Sequence, residues 1–203
     1  RIGLVEYAGE SYTKTPLTTD KSVTLRSLKD IKYNNIIEGG TAIGMGLATS
    51  VNRIKDSKAK SKVIILLTDG VNNAGFIDPM TAAELATEFQ IKIYSIGLGT
   101  NGLALSPVGI DSRGKFNYAN VQVEIDEKLL TQISEMTGGK YFRATDNDRL
   151  KEIYSDIDEL EKTEIEEFKY YSVDEKYRYF LLPAIILIAF EMIMKLTILR
   201  SFI

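Results

Sequence analysis

Lys62-Val63-Ile64-Ile65-Leu66-Leu67-Thr68-Asp69-Gly70 is the stretch that decides the fold. Its apolar residues run without the polar alternation of a half-exposed strand. A strand buried on both faces reads this way, and such strands belong to parallel sheets covered by helices on both sides. The run ends in Thr68-Asp69-Gly70, where Gly70 allows a sharp turn. Ligands of open α/β sheets bind at the carboxyl ends of strands, so Asp69 is placed to face such a crevice. An Asp that only caps the loop after the strand fits the same residues.

Working outward, the segments on either side support a doubly wound α/β arrangement. Upstream, Arg1–Ala8 and Glu10–Thr15 read as a hairpin of strands punctuated by Gly9, with Pro16 ending the second. Ser22 opens a helical pattern with Val23, Leu25, Leu28 and Ile31 on one side. A second helix is expected from about Thr41 to Asp56, with Ile43, Leu47, Val51 and Ile54 at helical spacing. Downstream, Pro79 sits near the start of a helix reaching about Gln90, and Ile91–Ile96 is another buried strand. Gly97–Asp126 is a long loop containing a small hairpin. Asp126 caps a helix that Gly138-Gly139 stop, Tyr141–Ala144 is a short strand, and Asp146 starts a last helix. That helix should turn Leu150, Ile153, Tyr154, Ile157 and Leu160 inward. Strands alternating with helices at this pace give a Rossmann-like, mostly parallel sheet.

Composition removes several function classes. The 203 residues contain neither Cys nor His. Thiolate or imidazole nucleophiles, His bases, and Cys- or His-ligated metals are therefore outside this sequence. With 25 basic and 28 acidic residues the net charge is −3, which gives no electrostatic case for nucleic acid. The sequence opens on Arg1 and runs directly into Ile2-Gly3-Leu4-Val5, and it reads as a piece whose natural N-terminus lies upstream.

The second chemical segment is Gly39-Gly40-Thr41-Ala42-Ile43-Gly44. Its glycines free the backbone, and Thr41 falls at a helix start, where it could cap the helix or offer a hydroxyl to a ligand. An oxygen-only set of hydroxyls, a carboxylate and water suits Mg²⁺. A Gly-Gly-Thr loop opening a helix, a buried strand ending Leu66-Leu67-Thr68-Asp69-Gly70, and then Ile93-Tyr94-Ser95-Ile96-Gly97-Leu98-Gly99 together resemble a von Willebrand factor type A domain. More narrowly, Val5–Tyr12, Gly40–Ala48 and Val63–Asn73 are similar to bacterial BatA/BatB aerotolerance-type membrane proteins, and the similarity runs into the C-terminal apolar segment.

This resemblance implies a metal-ion-dependent adhesion site built by three loops: an Asp-x-Ser-x-Ser, a Thr and an Asp. Thr41 matches the second loop and Asp69 the third. The first is expected upstream of Arg1, so that 1–163 would be a type A domain lacking its first strand. Asp20-Lys21-Ser22-Val23-Thr24 imitates the Asp-x-Ser-x-Ser pattern, but it follows a hairpin rather than a buried strand and reads better as a helix N-cap. The resemblance also implies Mg²⁺ (or Mn²⁺) as cofactor and a partner protein that completes the metal shell with an Asp or Glu. It further implies related Bat-type membrane proteins and a MoxR-type AAA+ ATPase as associates.

Two rivals are weighed beside that reading. A structural type A domain with a degenerate, metal-free site needs neither donor. A Mg²⁺-dependent phosphoryl-transfer enzyme would need a cationic clamp, and the sequence places no basic residue near Thr41 or Asp69. Gly97-Leu98-Gly99-Thr100-Asn101-Gly102 is a literal GxGxxG, but no helical period follows it, so a dinucleotide site is not expected. Past the domain, 164–176 reads as an acidic and aromatic linker. The segment 177–203 reads as a transmembrane helix with a short tail, Glu191 and Lys195 being spaced to pair within it. Such a chain would sit in the bacterial inner (cell) membrane.

Overall fold

The computed structural model describes residues 1–32, 39–99, 102–110, 116–170 and 177–197. The chain divides into two compact units, Arg1–Lys162 and Thr163–Ile203.

The first unit is built on a three-stranded parallel sheet, β3–β4–β7, of Val63–Thr68, Lys92–Leu98 and Tyr141–Ala144. Val63 pairs with Lys92 and Thr68 with Gly97, while Ser95 pairs with Tyr141 and Leu98 with Ala144. Strand β4 is central and is covered on both faces. On one face Ile93 meets Ile64, Leu66 and the buried sides of α2 (Ile43–Ile54), α3 (Pro79–Glu88) and α4 (Glu127–Met136). On the other, Tyr94 and Ile96 pack with Phe142, Ala144, Ile153 and Ile157, the last two from α5 (Asn147–Tyr170). This is the fold class expected from the apolar runs.

Ahead of the sheet, β1 (Ile2–Tyr7) and β2 (Ser11–Thr18) form an antiparallel hairpin, and α1 (Lys21–Lys29) follows with Asp20 as its N-cap. Between β4 and α4, β5 (Gly102–Ile110) and β6 (Phe116–Val123) make the second hairpin. Gly102 leads into a strand and not a helix, so the GxGxxG glycines turn the chain without presenting helix amides to a phosphate.

Local chemistry accounts for the helix ends. Asp78 accepts from the Thr81 amide and Asp126 from the Leu129 amide. Asp146 receives the amides of Asp148 and Arg149 at the start of α5. The α4 terminus is a Schellman arrangement: Gly138 takes φ 77°, its amide bonds Glu135, and the Gly139 amide bonds Ser134 at 2.8 Å. A Cβ on Gly139 would stand 2.0 Å from the Ile93 carbonyl oxygen, so the turn lies flush on β4.

Several expectations are corrected. Strand β2 continues through Pro16 to Thr18, because its register is irregular beside Pro16 and a hairpin edge tolerates a missing N–H. In β3, Ile65 is 38% exposed rather than buried, since β3 borders the sheet on one side among the described strands. Val23, Leu25, Leu28 and Ile31 are exposed, and α1 buries no residue. In α5, Ile153 and Ile157 face the core as expected, whereas Tyr154 and Leu160 are exposed.

Helix α5 runs on to Tyr170, so the stretch read as a linker over 164–176 begins as helix; residues 171–176 lie outside the described ones. The second unit carries α6, Tyr177–Thr197, with Pro183 inside it and Glu191 paired with Lys195 at 2.7 Å. Among the described residues, no helix is long and apolar enough to cross a membrane. The transmembrane helix expected over 177–203 is therefore not established: α6 carries a charged pair, and its expected tail, 198–203, lies outside the described residues.

Half-buried Glu161, late in α5, ties that helix back to the sheet. It receives the Tyr94 hydroxyl at 2.8 Å and the Ser61 hydroxyl, and it pairs with Lys92 at 3.4 Å. Burial would raise its carboxyl pKa, but the two hydroxyl donors and the Lys92 ammonium outweigh this and lower it. A lowered folded-state pKa contributes stability above the unfolded value and loses it as pH falls through the folded value. Glu161→Gln should therefore destabilise the first unit at neutral pH by about 1 kcal/mol, a figure reduced for partial solvation. The difference should shrink in acid, and urea unfolding at neutral pH and below the carboxylate range measures it.

Candidate functional site

The site expected from the sequence lies where β3 ends and α2 begins. Strand β3 stops at Thr68, and Asp69 follows, exposed to solvent. Beneath it lies Tyr7 of β1, whose hydroxyl donates to the Leu67 carbonyl at 2.7 Å. Burial pushes the Tyr7 phenol up to about 12, opposed by its hydrogen bond with Thr68 and reinforced by the negative charge of Asp69. The phenol thus stays protonated and holds the last turn of backbone before Asp69.

Thr41 meets this loop from the other side. Its Oγ1 lies 3.4 Å from where a Cβ on Gly70 would stand. The structure therefore brings together Thr41 and the Asp69-Gly70 turn, 28 positions apart in sequence.

Sequence reasoning missed the residues that hold them there. The Thr41 amide donates to Asn73 Oδ1 at 2.8 Å, and the Asn73 amide returns a bond to the Thr41 carbonyl at 3.1 Å. The Ile43 amide donates to Asn72 Oδ1 at 2.8 Å. The backbone of Ala42 is fastened as well, its amide donating to the Ala8 carbonyl at 2.6 Å. Packing closes the same seam, since a Cβ on Gly40 would meet Ala74 at 2.7 Å and one on Gly44 would meet the Ile77 carbonyl at 2.0 Å. Two adjacent amides placed just past a strand-end Asp-Gly were the available signal, because Asn side chains readily bond nearby backbone.

These bonds also settle which job Thr41 does locally. The N-cap of α2 is Ala42, which has no side chain to cap with, and Asn72 from the neighbouring loop serves the first helical amide instead. Thr41 Oγ1 is left outside the helix-capping pattern. Asp20, by contrast, is engaged as the N-cap of α1 with Ser22, as the N-cap reading of that segment expected.

Thr41 and Asp69 supply hard oxygen donors, which match Mg²⁺ in kind. They fall short in number, because among the described residues no cluster of three or more acidic side chains could hold an ion. Asp69 is exposed to solvent at this edge of the sheet.

A parallel α/β sheet whose carboxyl edge gathers a Gly-Gly-Thr loop and a Thr-Asp-Gly turn defines the class, and the family comparison agrees: residues 1–156 match the von Willebrand factor type A domain. The chain belongs to that family. It is similar to an uncharacterised protein of Borreliella burgdorferi, with 32% identity over 163 residues, which make up 80% of this chain and 47% of that protein. The chain thus spans about half the length of the curated relatives it matches.

Two solved neighbours share the fold. BatB of Bacteroides thetaiotaomicron has 25% identity and a TM-score of 0.60, with 79% of this chain and 78% of that one covered. An aerotolerance-related membrane protein of Bacteroides fragilis has 24% identity and a TM-score of 0.61, over 77% and 78%.

The bonding pattern separates two substitutions. Asn72→Ala should cost about 1 kcal/mol by stripping the acceptor from the α2 amide, within the range of lost helix caps. Thr41→Ala should change stability by only a few tenths of a kcal/mol, because the half-buried Thr41 hydroxyl caps no helix. Denaturant midpoints of the two variants against wild type check both.

Proposed function

We propose that this chain is a non-enzymatic interaction module that binds a protein partner through a divalent cation at the carboxyl edge of its sheet. The cation would be Mg²⁺ or Mn²⁺, held by Thr41 and Asp69 together with an Asp-x-Ser-x-Ser loop from preceding polypeptide. The edge of β3 that no described strand covers suits a further parallel strand leading to such a loop. The bound cation would supply a Lewis-acidic contact for an Asp or Glu of the partner.

The observation that carries this reading is the seam of Asn72 and Asn73. It fixes the Thr41 loop against the Asp69 turn while leaving the Thr41 hydroxyl and the Asp69 carboxylate out of the capping bonds. A site on a surface this open, with no Lys or Arg across 39–52 or 63–91, suits recognition better than phosphoryl transfer, which needs enclosure and a cationic clamp. A degenerate, purely structural site would not need donors held clear in this way.

In the same reading the module works in the bacterial inner membrane beside related Bat-type membrane proteins and a MoxR-type AAA+ ATPase, in tolerance of oxygen or other stress. The family resemblance supports this, as does the membrane-protein description of the Bacteroides fragilis neighbour. Helix α6 would provide the attachment. Leu181, Leu182, Ile185, Ile186, Leu187 and Ile188 are all exposed on it, and Glu191 and Lys195 within it neutralise each other.

Two measurements test the reading. In the full-length protein, Asp69→Ala should unfold at the wild-type temperature in the absence of metal, because the carboxylate is exposed and caps nothing. Mg²⁺ at about a hundred times its dissociation constant should then add about 2.7 kcal/mol to wild type alone. A variant that melts far lower without metal would make Asp69 a structural residue. For the anchor, carbonate extraction of membranes should leave the full-length protein in the pellet, whereas its release would remove α6 from the reading and leave the metal site untouched.

A further inference from the structure

Phe76 is 87% exposed, the most exposed of the large apolar side chains described. It stands in the loop that follows Asp69, and that loop is not slack. On one side of it, a Cβ on Gly75 would lie 2.8 Å from both Ala42 Cβ and Met45 Cγ. On the other, the Ile77 carbonyl is pressed so close to Gly44 that a Cβ there would stand 2.0 Å away. Both neighbours of Phe76 are therefore clamped to the first turn of α2. Asn73, three residues before it, is bonded to Thr41 in both directions.

The loop after Asp69 thus holds a large aromatic in water, its neighbour Gly75 packed on Ala42 next to Thr41, and Val71, two residues after Asp69, is exposed as well. An exposed Phe forgoes the burial that normally drives it inward, and aromatic side chains fixed in place at low entropic cost are the residues that dominate interfaces.

The charge around it specifies the company it keeps. The segments 2–13, 39–52 and 63–91 contain no Lys or Arg, and they carry Glu6, Glu10, Asp69, Asp78, Glu84 and Glu88, of which Glu6 is paired with Lys14. An acidic partner group would be repelled by this surface unless a cation lay between them, and a phosphate would find no basic residue in these segments.

We infer that Phe76, with Val71, is the specificity-determining contact of this site, and that it takes a partner protein whose metal-directed Asp or Glu is flanked by a bulky apolar side chain. The inference rests on the cation-mediated reading above and adds to it the chemistry of the residue next to the carboxylate. The cation fixes the carboxylate, and Phe76 selects among the many acidic segments that could offer one.

The test uses the full-length protein and a library of random linear peptides displayed on phage, selected on wild type with saturating Mn²⁺ and counter-selected on Phe76→Ser. Enriched peptides should pair an Asp or Glu with a neighbouring bulky apolar residue. They should bind Phe76→Ser about tenfold or more weakly, as for loss of an aromatic hot spot, and lose binding in EDTA. Mn²⁺ affinity, read from the electron paramagnetic resonance of the free ion, should be equal in the two proteins, and so should their melting temperatures. No enrichment, enrichment of basic or carboxylate-free peptides, or equal binding to Phe76→Ser overturns the inference. Absence of Mn²⁺ binding to either protein overturns the metal reading itself, and the inference with it.

Discussion

Everything in the first unit depends on keeping β4 dry on both faces. Ile93, Ser95 and Ile96 are fully buried, and the two apolar clusters of the core meet back to back across this one strand. A parallel strand cannot be left half-solvated here, because its helical crossovers cover both sides of the sheet. Once β4 is central, β3 and β7 must lie beside it in parallel, and their carboxyl ends must open on the same edge. The Thr68–Gly97 and Leu98–Ala144 pairings place that edge, and Asp69 projects from it.

What turns that edge into a site is a smaller set of bonds. The Thr41 loop belongs to α2, and the Asp69 turn belongs to β3. Packing alone would let the two slide, since the α2–β3 contact is made by aliphatic side chains such as Leu47 and Leu66. The amides of Asn72 and Asn73 remove that freedom, because each bond has a fixed direction and length. Tyr7 adds a third restraint from β1, and burial of its phenol favours the neutral, donating form. The donors themselves take no part in these bonds, which is the division of labour expected where a rigid frame presents a few groups to a ligand.

The far end of the unit is held by different chemistry. Glu161 gathers Ser61, just before β3, and Lys92 and Tyr94 of β4, and so fixes α5 over the opposite edge of the sheet. Carboxylate-centred bonding at one end and carboxamide bonding at the other leave the two ends with different pH responses: the first weakens in acid, and the second is indifferent to it.

The sequence by itself determined the sheet and the identity of the matching residues. Val63–Leu67 is apolar without alternation, the pattern of a strand in a helix-covered parallel sheet, and Ile91, Ile93, Tyr94 and Ile96 mark the next strand. Asp126 and Asp146 mark helix starts because a short acidic side chain reaches the amides two or three residues on, which is a local relation. Thr41 and Asp69 were likewise visible as motif positions. The tertiary structure decided what depends on distance between segments. It put the α2 cap on Asn72 rather than Thr41, exposed Ile65 at a sheet border, left Leu25 and Leu28 of α1 uncovered, and carried β2 past Pro16. It also turned Phe76 outward between two clamped neighbours. None of these follows from periodicity, because periodicity says which side of an element is apolar and not whether another element arrives to cover it.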